Sequence, residues 1–190
     1  MSEPARKKAT YEDLYTIPEN MTGEIINGQL ISTPRPSRQH IYAASALGGE
    51  LTPLYQFGRG SGPGGWVILI EPEIGFGEHI LVPDLAGWKL ERYPEEEPHN
   101  WISVSPDWVC EIISPGTEIH DRDEKMAIYA EHGVPHVWLI NPIIRSLEAY
   151  KLLAEGWFRF AMFNGNKIAR VEPFQEIELD LAGLWGPQKL

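Results

Sequence analysis

Two acidic residues stand in stretches whose other members are largely apolar. In "ILVPDLAGW", residues 80–88, Asp84 follows Pro83; in "DWVCEII", residues 107–113, Glu111 interrupts an apolar run. Side chains alternate across a strand, so Asp84 shares a face with Ile80, Val82 and Ala86, and Glu111 shares one with Val109 and Ile113. Both faces read as core. An ionised carboxylate there is costly unless it is hydrogen-bonded, paired or metal-bound, so each acid needs a partner.

A partner lies downstream. Ser114-Pro115 ends the second strand, and "HDRDEKMAIYAEHG" then reads as a helix, roughly Asp121 to His132, stopped by Gly133. Asp121, Lys125 and Tyr129 fall at i, i+4 and i+8, near one helix face. A helix leaving the strand end can return Lys125 to the carboxylates, which makes a site of two hard oxygen ligands and an ammonium. Such a set suits phosphodiester hydrolysis. Asp84 and Glu111 would hold Mg²⁺, with Mn²⁺ as substitute, and the lysine would orient water or offset developing charge. A structural ion cluster accounts for the same spacing equally well. Asp121 is expected to cap the helix and Tyr129 to pack on the sheet, its hydroxyl within reach of the site.

The surrounding elements must bring these residues together. Thr10 and Asp13 in "TYEDLY" offer a capping-box start for a short helix. "GEIINGQLIS" predicts a β-hairpin turning at Asn27-Gly28, the dipeptide that supplies two positive φ angles. Ser37 can cap a helix with an apolar stripe at Ile41, Ala44, Leu47, Leu51 and Leu54. "GRGSGPGG", residues 58–65, lacks the Lys-Ser/Thr ending of a phosphate-binding loop and no helix pattern follows it, so it reads as a plain loop before the strand "WVILI". "EIGFGEHILVPDLAGW" reads as a strand with a break at Gly77, and "ERYPEEEPHN" as an acidic surface loop. After the crossover helix come the strand "HVWLI" and three tail strands, "SLEAYKLL", "GWFRFAMF" and "IARVEP", forming an antiparallel meander. The expected class is α/β or α+β with a central mixed sheet flanked by helices, an N-terminal hairpin and a C-terminal meander, in one domain over residues 1–190 with residues 1–9 flexible.

Composition bounds the function. At 190 residues, 43% hydrophobic and 23% charged, the chain has globular proportions. Its single cysteine, Cys110, excludes an internal disulfide framework, and its place in an apolar run favours inert burial. With no signal-like start and no membrane-length apolar run, a soluble cytoplasmic protein is expected. The net charge of -11 opposes a broad DNA-binding surface, because phosphate contacts depend on Lys and Arg. Arg35 and Arg38 in "TPRPSRQH" and Arg6, Lys7 and Lys8 remain as local basic edges, and bound cations would offset acidity.

"GEIINGQLISTPRPSRQH", "VPDLAGW", "PDWVCEIISPGT", "DRDEKMAIYAEHGV" and "HVWLINP" together resemble, in order, the Uma-type restriction endonuclease family, a branch of the PD-(D/E)XK nuclease superfamily. The resemblance covers roughly residues 10 to 185. It implies a restriction-endonuclease-like core and metal-dependent cleavage of nucleic acid. Carried over, Asp84 is the motif aspartate and Glu111 the second acidic ligand. The superfamily's usual lysine, two residues after that acid, is replaced here by Ile113, and the family's helix lysine corresponds to Lys125. Glu24 in "GEIING" matches the family's early glutamate, an additional metal or water-positioning group. His40 matches a recurring histidine that meets phosphate or the site, or simply caps its helix; with Arg35 and Arg38 it completes the candidate substrate contacts. Asn141 stands where many members carry aspartate, and a turn explains Asn-Pro well.

Two classes of function follow. The first is a Mg²⁺-dependent endonuclease acting on DNA, or on RNA by the same chemistry, and forming a homodimer as nucleases that cut two strands commonly do. The second keeps the fold but is a catalytically silent binding or assembly module, a reading to which the acidity gives weight.

Overall fold

Alternation of side chains decides the architecture. In the strand Trp108–Ile112, Trp108, Cys110 and Ile112 enter one hydrophobic cluster while Val109, with Ile113 just beyond, enters another. A strand apolar on both faces must be covered on both, and this one lies inside a six-stranded sheet with a layer on each side. The computed structural model describes residues 8–116 and 118–187.

In chain order the elements begin with α1 (Tyr11–Leu14), whose Thr10–Asp13 capping box is present, and the hairpin β1 (Met21–Ile26) and β2 (Gln29–Pro34). Asn27 and Gly28 turn it at φ 53° and 71°, as expected of that dipeptide. Helix α2 (Arg38–Leu51) follows, capped by Ser37, and runs into a π-helical turn at Thr52–Gln56. Then come β3 (Trp66–Ile70), β4 (Ile74–Phe76), β5 (His79–Leu81), β6 (Leu85–Lys89) and β7 (Trp108–Ile112). A π-helix over His120–Lys125 leads directly into α3 (Met126–Glu131). The chain closes with β8 (His136–Asn141), β9 (Ser146–Leu153), β10 (Gly156–Asn164), β11 (Ile168–Ala169) and β12 (Leu179–Asp180).

The large sheet has the order β10-β9-β8-β7-β6-β3; β7 and β8 are parallel and the other pairs antiparallel, so the expected mixed sheet is present. Ala43, Leu47 and Leu51 of α2 pack on one face with Trp108 and Trp138. Met126, Ile128 and Tyr129 lie on the other with Val109, Val137 and Leu139, beside Ile26 and Phe76 from a second sheet of order β2-β1-β5-β4. Trp88, Trp108, Trp138 and Cys110 are fully buried, as their apolar settings predict.

Several expectations are corrected. "EIGFGEHILVPDLAGW" is three strands: Gly77 at φ 61° turns β4 into β5, and the chain leaves that small sheet at Val82–Asp84 to enter the large one as β6. Asp84 therefore sits at the junction of two sheets. The strand at Ile168–Ala169 pairs with β12 in a separate two-stranded ribbon, so the meander consists of β8, β9 and β10. Ile41 is 51% exposed, because α2 carries its core stripe on Ala43, Ala44, Leu47 and Leu51. Of the N-terminal stretch expected to be flexible, residues 1–7, with Arg6 and Lys7, lie outside the described residues; Lys8 pairs with Glu78, and the Ala9 amide donates to the Gly28 carbonyl at 2.8 Å. Among the described residues no helix is long and apolar enough to cross a membrane.

Candidate active site

Register delivers the two acids to one place. β6 pairs with β7 antiparallel with Leu85 opposite Cys110, which carries Asp84 across from Glu111. The Ile112 amide donates to Asp84 Oδ2 at 2.7 Å and locks that arrangement. The second sheet supplies Glu24 from β1: its Oε1 accepts the Val82 amide at 2.7 Å, in the gap where the chain passes between sheets. From α2, His40 Nε2 stands 2.5 Å from Asp84 Oδ1.

The crossover after β7 returns a lysine. Lys125 Nζ lies 3.0 Å from Glu24, 3.3 Å from Glu111 and 3.3 Å from Asp121. Tyr129, one turn further, donates its hydroxyl to Glu111 Oε1 at 2.5 Å. Asp121 is thus not a cap. The residue preceding the π-helix is Ile119, without a side-chain cap, while Asp121 is buried inside the helix against Lys125. The i, i+4, i+8 spacing of Asp121, Lys125 and Tyr129 does converge on one site, although its first turn is π rather than α. π-turns interrupt α-helices mostly as single turns and frequently at functional sites.

Glu24, His40, Asp84, Glu111, Asp121 and Lys125 line a cavity of about 80 Å³ together with Thr22, Thr33, Glu71, Ser114 and His120, with Tyr129 behind the wall against Glu111. Among the described residues, Lys125 is the only ammonium or guanidinium in its wall. One cation cannot neutralise so many carboxylates. Burial, the largest influence, pushes the Glu111 carboxyl well above its ordinary range; Lys125 opposes the rise, and Asp121, Asp84 and Glu24 add to it. Burial also disfavours charge on Lys125, but Glu111, Glu24 and Asp121 outweigh it and hold the ammonium charged, with its pKa well above that of free lysine. Burial and the adjacent Glu111 raise the Tyr129 phenol, which stays protonated as a donor.

The structure thus brings Glu24, Asp84, Glu111, Lys125 and His40 to one cavity. It does not bring Arg35 or Arg38 there. Arg35 is exposed and donates to the Glu19 carbonyl at 3.1 Å, while Arg38 lines a different groove with Tyr42 and Trp185, although Pro34 and Pro36 beside them do reach the cavity wall. Asn141 makes a turn, accepting the Ile143 and Ile144 amides at 3.0 and 3.2 Å. The sequence signal for Asp121 was its i, i+4 spacing from Lys125 on one helix face.

Among the described residues no three His, Cys, Asp or Glu side chains form a ready cage for a metal. The donor set nonetheless fits Mg²⁺, which binds through one or two carboxylates and completes its shell with water and substrate phosphate. Asp84 and Glu111 offer such a pair of oxygen donors, in a cavity with one cationic side chain in its wall among the described residues.

A mixed sheet covered on both faces, with acids from adjacent strands and a lysine returned by the crossover, defines a restriction-endonuclease-like fold. The chain belongs to the Uma2 family, described as "Putative restriction endonuclease", whose model matches residues 9–182. Its fold is similar to that of a putative nuclease belonging to DUF820 from Anabaena variabilis ATCC 29413, at 24% identity and a TM-score of 0.74, over 93% of this chain and 97% of that one. No curated protein matches the chain.

Proposed function

We propose that the protein is a metal-dependent endonuclease that hydrolyses phosphodiester bonds of DNA. The observation that carries this reading is the convergence of Lys125 with Glu24, Glu111 and Asp121 at 3.0–3.3 Å, in the cavity that also holds Asp84. Asp84 and Glu111 would hold Mg²⁺, or Mn²⁺ in its place, which when bound would supply polarisation of a phosphate oxygen and a lowered pKa for the attacking water. Ile112 fixes one Asp84 oxygen and His40 reaches the other, so the aspartate is oriented before substrate arrives. Glu24 takes the Val82 amide and the Lys125 ammonium on one oxygen, which sets where the ammonium stands. Lys125 then offsets charge developing on the phosphate and orients the attacking water. Tyr129 keeps one Glu111 oxygen turned inward. The protein acts in the cytoplasm as a homodimer whose two sites serve two strands.

Asp84→Asn tests this with little change of shape. Supercoiled plasmid incubated with purified protein and Mg²⁺ or Mn²⁺ is expected to be nicked or cut by the wild type and untouched by the variant, with both equally folded by circular dichroism. Cleavage retained by Asp84→Asn would sink the assignment.

A silent nuclease-fold module is the second reading. It is favoured by the engagement of both Asp84 oxygens with protein partners and by the net charge of -11. Titration calorimetry separates the two: Mn²⁺ binding that Asp84→Asn abolishes supports the enzyme, and absence of binding by the wild type supports the module.

A further inference from the structure

Lys125 meets its three carboxylates from the end of a segment, His120–Lys125, that is wound as a π-helix, and a π-turn is the rarer winding, held where something outside it fixes the register. Two side chains of the sheet's outer strands, neither of them in the cavity wall, hold it in place. Arg122, next to Asp121, donates to Glu148 of β9 at 2.6 Å and to Glu118 at 2.8 Å. Glu148 is buried and also accepts from Tyr150 at 2.7 Å and from Arg159 of β10 at 3.0 Å. Past the lysine, at the junction of the π-helix with α3, the Trp157 indole N–H of β10 donates to the Met126 carbonyl at 2.8 Å. The two grips bracket Lys125, one three residues before it and one immediately after.

We propose that Glu148 is a positioning residue: through Arg122, and together with Trp157, it holds the π-turn in the register that presents Lys125 and Asp121 to Glu24 and Glu111. This rests on the nuclease reading for its effect on cleavage, but not for its effect on Lys125. The geometry distinguishes this clamp from an ordinary surface ion pair. A buried carboxylate that satisfies two guanidiniums and a phenol joins β9 and β10 to the segment that carries the site lysine. Loss of the Glu148 acceptor detaches Arg122 from β9 and leaves it only Glu118, and the segment can then relax toward α winding, which turns Lys125 about the helix axis.

The first readout is independent of activity. In nitrogen-15 spectra the buried Lys125 ammonium gives a resonance assigned by its loss in Lys125→Met. Glu148→Gln is expected to shift it and to speed its hydrogen exchange by about tenfold, as local opening without global unfolding requires, and Glu148→Asp should restore part of the protection. In plasmid cleavage, Glu148→Gln should lower kcat roughly 10- to 100-fold, the scale of a displacement of about an ångström, with KM nearly unchanged. In a Lys125→Met background it should lower residual activity no further. Should Glu148→Gln fail to fold, Trp157→Phe removes only the second grip and is expected to shift the same resonance. An unchanged Lys125 ammonium in folded Glu148→Gln, or in Trp157→Phe if the first does not fold, overturns the proposal. Absence of cleavage by the wild type with a shifted ammonium overturns the nuclease reading and leaves the clamp standing.

Discussion

Two buried glutamates, 2% and 5% exposed, show how differently one residue type can be housed on the same sheet. Glu148 on β9 has two arginines and a tyrosine as donors. Burial raises its pKa, but the hydrogen bonds from Arg122, Tyr150 and Arg159 outweigh burial and hold it below the ordinary value. Glu111 on β7 shares one lysine with Glu24 and Asp121, and burial leaves its pKa far above the ordinary value. Burial of a charge is therefore not what sets a site apart. The first cluster has donors in excess and is closed; the second has acceptors in excess and has room for another cation. A structural ion cluster satisfies its members, whereas the charge deficit of the second cluster is what the metal and phosphate of the proposed function would fill.

Removing the central cation should exaggerate that difference most. Lys125→Ala leaves Glu24, Glu111 and Asp121 facing one another in a buried space. Breaking a buried pair in this way costs about 3–5 kcal/mol, to be measured by urea unfolding at neutral pH. Loss of the electrostatic contribution to the transition state lowers kcat by roughly 10²–10³-fold, followed by plasmid cleavage. Stability should recover in part at pH 5, where carboxylates protonate. A variant as stable as the wild type would mean that the cluster carries less charge than drawn here. Because of this cost Asp84→Asn, not Lys125→Ala, is the cleaner test of chemistry.

Much of the site was legible because strand and helix periods act locally. Asp84 and Glu111 stood out against apolar faces, Asn27-Gly28 announced its hairpin, and Lys125 lay at the right spacing from Asp121 and Tyr129. What was not legible depends on long-range pairing. Nothing local says that β4 and β5 leave the large sheet for β1, since "EIGFGEHILV" alternates much as one strand would. The passage of Asp84 between sheets, and the hold of Glu24 on the Val82 amide, follow from that pairing. Asp121 looked like a cap because Asp favours helix starts; it lies instead inside a π-turn, whose extra residue no 3.6-residue pattern reveals. Ile41 fitted a helical stripe, yet the stripe that meets the sheet is the one carrying Ala43 and Leu47.

The two glutamates should also answer oppositely to pH, an effect smaller than loss of the lysine. For Glu111 the folded pKa lies above the unfolded value near 4.5, so between the two the folded state binds more protons and its contribution to stability falls as pH rises. Glu148, held below 4.5 when folded, contributes stability above that pH and loses it as pH falls through the folded pKa, where the unfolded state binds more protons. Denaturant midpoints measured from pH 3 to 8 should therefore decline less on the alkaline side in Glu111→Gln, and less on the acid side in Glu148→Gln. Profiles that change on the same side in both variants would erase the contrast between the clusters.

The smallest effect is expected where the closed cluster meets solvent. Arg159 is the third donor to Glu148, but its side chain is half exposed, while Arg122 is 28% exposed and Tyr150 also remains. In Arg159→Met, Glu148 keeps two donors, and the lost pair contributes little because water screens it and the long side chain gives up rotamer freedom to form it. The apolar stem of Met can cover the strand surface that the arginine stem covered. Thermal unfolding should thus shift little, and the Lys125 ammonium resonance should stay in place, since the grip on the π-turn runs through Arg122. A thermal shift larger than that measured for Glu148→Gln, or a displaced Lys125 ammonium, would show that Arg159, not Arg122, organises the cluster.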